Sequence, residues 1–346
     1  MPIGNTAICD SPHGIKTGGM VEESASAQDV SWFAEQCDRI VRNIERLIRG
    51  KTDVVRLAVL CLAAEGHVLV DDVPGVGKTS IAKALASSIE GSMRRIQCTP
   101  DLLPTDITGV QIWNQDTRNF EFQPGAIFGN VVLADEVNRA SPKTQSALLE
   151  VMEERQVTVE GTTFAVPRPF LVIATQNPVE HGGTYDLPEA QIDRFMMKMS
   201  VGYPDHAAEV EIVANRSAGQ SVLDLQPVVS SGDVLRMTSL VRRVHLTPAV
   251  VDYIVTITAA TRRLAELRLG ASPRAGIALA AAAQAHAAAD GRTFVTPDDV
   301  KALAPFVLAH RLLLRPEAEL NGVTAAGLLD SILASVPVPG RERAYR

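Results

Sequence analysis

The stretch DDVPGVGKTS at residues 71–80 lies between an apolar run, HVLV, and a helix-forming run, SIAKALASSIE. A Gly-Lys-Thr turn at such a junction lets backbone N–H groups surround phosphate oxygens, and the helix N-terminus behind it favours an anion. That arrangement needs a buried strand before the turn and a packed helix after it. The chain therefore calls for an α/β sheet with parallel strands. The usual pattern has a glycine five residues before Gly77, where this chain has Asp72. An aspartate at a strand-to-loop turn tolerates unusual backbone angles and caps locally. The phosphate-facing part is intact: Gly75, Val76, Gly77, Lys78 and Thr79, with Pro74 before it and Ser80 after it.

Two further apolar runs end abruptly in polar residues, NVVLADE (130–136) and FLVIATQN (170–177). In parallel sheets function gathers at the carboxyl ends of strands, and these residues stand there. Lys78 pairs in this reading with the β- and γ-phosphates of a nucleotide, and the Thr79 hydroxyl reaches Mg²⁺. Asp135 holds the same ion, partly through water, and Glu136 is the general base for the attacking water. Asn177 either orients that water or is a turn asparagine before Pro178.

Two arginines stand out by position. Ser272 and Pro273 form a helix start, so Arg274 lies in the first turn. The local field opposes a cation there by about 0.3–1 kcal/mol, which suggests either a nearby anion such as a γ-phosphate or a solvated surface arginine at modest cost. Arg194 ends a short helix begun at Pro188, and a cation at that place needs no functional reason.

The rest of the chain sets the frame. Residues 1–28 have no apolar period and read as a flexible tail. An amphipathic helix from Trp32 to Ile48 is stopped by Gly50, and a second spans about 53–65. Alternating segments at 109–125 and 155–169 read as β-hairpins. From about residue 233 only helices are expected, joined to the rest by a link at 219–232. The paired arginines at 94–95, 242–243 and 262–263 read as solvated helix faces. A net charge of −7 argues against a largely electrostatic nucleic-acid binder. Cys9, Cys37, Cys61 and Cys98 lie far apart, without zinc spacing, as in reduced cytosolic chains. No run reaches transmembrane length, and a cytoplasmic location is expected.

Together, DDVPGVGKT, LADEVNRASPKTQSALLEVMEERQVTV, FLVIATQNPVE, GTYDLPEAQIDRF, GASPRA and GRTFVTPDDV resemble the MoxR group of AAA+ ATPases. The likeness runs from about residue 31 to 315, and aspartate at position 72 is familiar in that group. It implies an αβα AAA+ core with a parallel sheet and β-hairpin inserts over 29–218, followed by an all-helical lid domain over 233–346. By this likeness Lys78 and Thr79 match Walker A, Asp135 and Glu136 Walker B, and Asn177 sensor 1. Arg194 matches the arginine finger, acting on a neighbouring subunit's nucleotide, and Arg274 matches sensor 2 in the lid. Ile48 and Gly50 match the segment lining the adenine.

The resemblance also implies ATP and Mg²⁺, a homo-oligomeric ring built as a hexamer, and remodelling of client proteins with partners carrying von Willebrand factor A (VWA) domains. A chelatase-like motor subunit, a nucleic-acid remodeller and a nucleotide-gated scaffold are the alternatives. Gly182, where many members have glutamate, and Ala126, where proline is common, depart from the pattern.

Overall fold

The protein is described by a computed structural model covering residues 24–72, 75–177, 184–204, 206–207, 209–210 and 225–340. Helix α1 (Ala27–Glu45) starts at a reciprocal cap between Ser26 and Asp29. It buries Val30, Phe33, Cys37, Ile40, Val41 and Ile44, one face at helical spacing. It ends at Glu45, and the turn that follows runs to Gly50 at φ 68°. The expected stop at Gly50 is thus the end of that turn. Helix α2 (Thr52–Ala63) follows and is apolar almost all round, as a helix between two layers must be.

Five parallel strands form the central sheet. They are β1 (Val68–Asp71), β2 (Met93–Gln97), β5 (Val131–Asp135), β8 (Leu171–Gln176) and β9 (Met197–Met199), in the order β2-β5-β8-β1-β9. In β1, β5 and β8 every residue but the last is buried. Such continuous apolar runs mark strands covered on both faces. Alternate residues feed two cores. Val131, Leu133, Leu171 and Ile173 join α1, α2 and the lid helices in one cluster. Val132, Ala134, Val172 and Ala174 join helix α5 (Pro142–Glu154) in the other. Neither β2 nor β9 was expected from the sequence. Both are edge strands; Met93–Gln97 carries two arginines, and Met197–Met199 is three residues long.

Helix α3 (Lys78–Ser88) follows β1, and helix α4 (Pro104–Thr108) opens the first hairpin, β3 (Gly109–Asn114) and β4 (Asn119–Pro124). The second hairpin, β6 (Gln156–Val159) and β7 (Thr162–Ala165), turns at Glu160 and Gly161, both at positive φ. That pair of angles suits the two-residue turn whose twist matches its strands. Phe122 and Phe164 stack at 3.8 Å and join the hairpins. Helix α6 (Glu189–Ile192) then leads into β9.

The carboxyl-terminal part contains α7 (Ser231–Arg243), α8 (Pro248–Thr261), α9 (Pro273–Ala289), α10 (Pro297–Leu308), α11 (Pro316–Leu320) and α12 (Ala325–Ser335). It is helical as expected, with one addition. A short ribbon pairs β10 (Leu267–Leu269) with β11 (Leu313–Leu314). No described helix is long and apolar enough to cross a membrane. Cys37, Cys61 and Cys98 are buried and unbridged; burial pushes the Cys37 and Cys98 thiols up to about 12.

Candidate active site

The carboxyl ends of the strands meet in a cavity of about 360 Å³, lined by Gly75, Gly77, Lys78, Thr79, Ser80, Arg95, Asp135, Glu136 and Asn177. The glycine loop shapes one wall. Gly75 and Gly77 have φ of 90° and 96°, a conformation that a side chain disfavours, while a Cβ at either would meet nothing within 4 Å. Their need is conformational: the turn aims N–H groups outward just before α3 begins at Lys78. Val76 packs against the core rather than lining the cavity. Pro74 and Gly182 lie outside the described residues. Ala126, the other departure, packs against the α5-side core.

Lys78 is buried, and its Nζ donates to the Asp72 carbonyl at 2.9 Å. Asp135 receives the Thr175 hydroxyl at 2.6 Å on Oδ1 and Arg95 Nη2 at 2.6 Å on Oδ2. The Thr175 oxygen in turn accepts the Glu136 N–H at 2.9 Å. Glu136 sits at φ 57°, which costs a non-glycine residue about 1–2 kcal/mol. Its carboxylate accepts from Gln97 at 3.2 Å and from Arg139 at 3.1 Å. The buried Asn177 closes the cavity from β8. A polyphosphate fits this lining: outward N–H groups, a buried ammonium and an all-oxygen pair, Thr79 and Asp135, of the kind Mg²⁺ takes.

Two residues here were missed or misread from the sequence. Arg95 lies on a strand, not on a solvated helix face, and reaches into the cavity. Asp72 does more than tolerate a turn. Its Oδ2 accepts the N–H groups of Val201 at 2.7 Å and Gly202 at 2.6 Å, and the Ser200 hydroxyl at 3.0 Å. The carboxylate thus fastens the exit of β9 to the entrance of the phosphate loop. Lys51 Nζ bonds the Tyr203 carbonyl at 2.7 Å, so the Ile48–Gly50 turn precedes a residue held to the same exit. Ile48 itself packs against the core, and neither it nor Gly50 lines the phosphate cavity.

Arg274 and Arg194 are elsewhere. Both line a second cavity, of about 520 Å³, with Gly66, His67, Glu153 and Met196. Gly66 and His67 precede β1, and Met196 precedes β9. This second cavity therefore opens at the amino ends of the strands, opposite the phosphate loop. At ~3.3 Å per residue β1 alone separates the two ends by about 13 Å. Arg274 thus faces away from the phosphate cavity of its own subunit, contrary to the expectation that it meets the γ-phosphate there. The anion its helix position called for is Glu153. Arg274 Nη1 lies 3.0 Å from Glu153 Oε1, and Arg194 Nε lies 3.1 Å from Glu153 Oε2.

The lid holds the Arg194 segment closely. Arg311, buried between α10 and β11, donates to Asp193 Oδ1 at 2.6 Å and to the carbonyls of Asp193 at 2.9 Å and Phe195 at 2.7 Å. Ser272, the N-cap of the helix bearing Arg274, donates to the other Asp193 oxygen at 3.0 Å. In the same cavity Glu65 meets Arg155 at 2.6 Å, Arg242 at 2.5 Å and Arg168. Burial opposes its ionisation, yet Arg168, Arg155 and Arg242 hold its carboxyl below the usual range.

Comparison with known proteins agrees with this geometry. Residues 67–197 match the ATPase family associated with various cellular activities (AAA), and residues 259–332 match the AAA lid domain. YeaC of Bacillus subtilis is 48% identical over 308 residues, 89% of this chain and 96% of its own length. Chaperone MoxR1 of Mycobacterium tuberculosis is 42% identical over 311 residues, 87% of this chain and 82% of its own. The chain belongs to the MoxR family of AAA+ ATPases. A crystal structure from Cytophaga hutchinsonii, of a protein assigned as an ATPase, superposes with a TM-score of 0.85 at 38% identity. It covers 90% of this chain and 97% of that one. The reaction of this MoxR-family protein is the hydrolysis of ATP.

Proposed function

We propose that this MoxR-family ATPase works as a hexameric ring whose active sites form between copies, and that turnover remodels or matures client proteins. One observation carries the reading. Lys78, Asp135, Glu136 and Asn177 line a cavity at one end of the strands, while Arg194 and Arg274 line another at the opposite end. A chain with the two halves on opposite sides completes a site by head-to-tail contact, and such contact gives a ring where the rotation between copies closes.

In this reading the core (29–218), the linker (219–232) and the lid (233–346) move against one another. Lys78 and the loop from Pro74 to Ser80 bind the β- and γ-phosphates, and the Ile48–Gly50 turn lies along the adenine. Thr79 and Asp135 would hold Mg²⁺, which would supply charge neutralisation on the phosphates. Asn177 orients a water molecule and Glu136 takes its proton. The water oxygen bonds to the γ-phosphorus as the bond to the bridging oxygen breaks, giving ADP and phosphate. Arg194 and Arg274 of the neighbouring copy stabilise the charge on the transferring group. The chaperone role follows the name of the Mycobacterium tuberculosis relative. A VWA-domain partner and a metal-requiring client follow from the family resemblance.

Mixed rings test this. Arg194→Ala and Glu136→Gln subunits should each be nearly inactive alone. In an equimolar random ring half the subunits keep Glu136, and half of those have an intact neighbour. Activity should return to about a quarter of wild type. No recovery in rings shown by dual-tag purification to contain both would refute the shared site.

A further inference from the structure

Glu153 is the carboxylate on which both arginines converge. It lies next to the last residue of α5 (Pro142–Glu154), whereas Arg194 follows α6 and Arg274 opens α9 in the lid. Three separate elements therefore deliver these side chains to one point, each oxygen of the carboxylate taking one guanidinium. All three side chains keep contact with solvent: Arg194 is 30% exposed, Arg274 43% and Glu153 37%. Exposed ion pairs contribute little to stability, so holding the fold together is a weak reason for this arrangement.

The cavity around them favours an anion. Its titratable lining comprises Arg155, Arg194, Arg242, Arg274 and Arg311 against Glu65, Glu153 and Asp193, with His67 besides. Three of those arginines already have acidic partners: Arg155 and Arg242 bind Glu65, and Arg311 binds Asp193. Arg194 and Arg274 share the single charge of Glu153, leaving one positive charge in excess at that point. Two guanidinium groups brought together without a counter-ion repel each other and splay. A bridging carboxylate lets them stand side by side. Each contact engages one N–H of a planar group that has five, and Arg194 is engaged through Nε, the inner edge of its fork. Phosphate oxygens are bound well by such forks when several N–H groups point the same way.

We infer that Glu153 is a positioning residue for ATP hydrolysis, holding Arg194 and Arg274 as a pair for the polyphosphate of the adjoining copy. The inference rests on the shared-site reading. It adds that the finger and the lid arginine are presented together, by a residue that touches neither the nucleotide nor the attacking water. Glu153 is remote from the phosphate cavity of its own subunit, so its loss should lower kcat while leaving nucleotide binding there intact.

The test uses the full chain with Glu153→Gln and, as a second variant, Glu153→Ala. Glutamine keeps the shape but replaces one oxygen by an NH2 donor and removes the charge, so it cannot give each arginine its own carboxylate oxygen. Both variants should form rings, lose at least tenfold in kcat and change KM for ATP by less than threefold. Mixed with Glu136→Gln subunits, each should recover activity as Arg194→Ala does, because the defect travels with the subunit that donates the arginines. Wild-type kcat in both variants would overturn the inference. So would failure to enter rings, which would give Glu153 to assembly instead. Recovery for Arg194→Ala but not for the Glu153 variants would overturn it while leaving the shared site standing. Recovery for neither would remove the shared site and this inference together.

Discussion

Asp72 shows at the scale of one residue why a departure from a motif can be a gain. Its carboxylate is almost buried and binds three donors of the Ser200–Gly202 segment, while its carbonyl holds Lys78. Hydrogen bonds to a charged group are worth about 1.5–3 kcal/mol each and do not simply add. Asp72→Ala should therefore lower the unfolding free energy in urea by about 2–4 kcal/mol. ATP affinity should stay within about tenfold, since the Lys78 contact uses the main chain. Unchanged stability would mean the clamp contributes nothing.

His67 gives a pH signature. Its Nε2–H donates to the Met152 carbonyl at 3.0 Å and its Nδ1 accepts the Val172 N–H at 3.0 Å. A proton on Nδ1 would oppose that N–H, and burial first of all pushes the ring down to about 4 from 6.5. Between those values the unfolded chain binds more protons, so stability falls as pH falls from about 6.5 and levels off for this group below about 4. The loss from pH 7 to pH 5 should be about 2 kcal/mol for this histidine. His67→Gln should flatten that slope in urea titrations at the two pH values; an unchanged slope would contradict it. The contrast in what the sequence reveals is physical. Lys78 and Thr79 lie within one loop, and Asp135, Glu136 and Asn177 each terminate an apolar run, so their chemistry is local. Arg95 and Asp72 find partners 40 and 128 residues away, and no local pattern encodes such pairs.

Among elements, the joint between α6 and the lid decides where the arginines point. Arg311 is buried, bonded to Asp193 and to the carbonyls on either side of Arg194. Removing one member of a buried charged pair costs about 3–5 kcal/mol. Arg311→Ala should lose stability on that scale in urea, and amide exchange should quicken across residues 189–196. Normal stability with normal exchange would show that the joint does not depend on this side chain. Helix starts were legible because they are written locally: Ser272 caps α9 and Pro273 fills its first turn, as the sequence indicates. Where Arg274 aims from that first turn was not legible. It depends on how α9 packs relative to α5 and α6. Edge strands such as β2 and β9 escaped because a short strand with one buried neighbour carries little pattern.

At the scale of the whole molecule, the parallel sheet sets the logic. All five strands point one way, so one end collects the phosphate loop and the acidic residues. Loops at the other end collect the arginines. The sequence suggests the candidate members of a nucleotide site, and the family likeness assigns Arg194 to a neighbouring copy, but that Arg274 lies at the same far end is a property of strand direction and lid packing. On the proposed reading a subunit of this shape carries half of its own site, and a neighbouring copy supplies the rest. The most direct measurement is ATPase activity per subunit across a dilution series, with the assembly state read at each concentration by sedimentation. Activity should fall at least tenfold as rings give way to single chains. Activity per subunit that stays constant into the range where only single chains remain would contradict a site shared between copies.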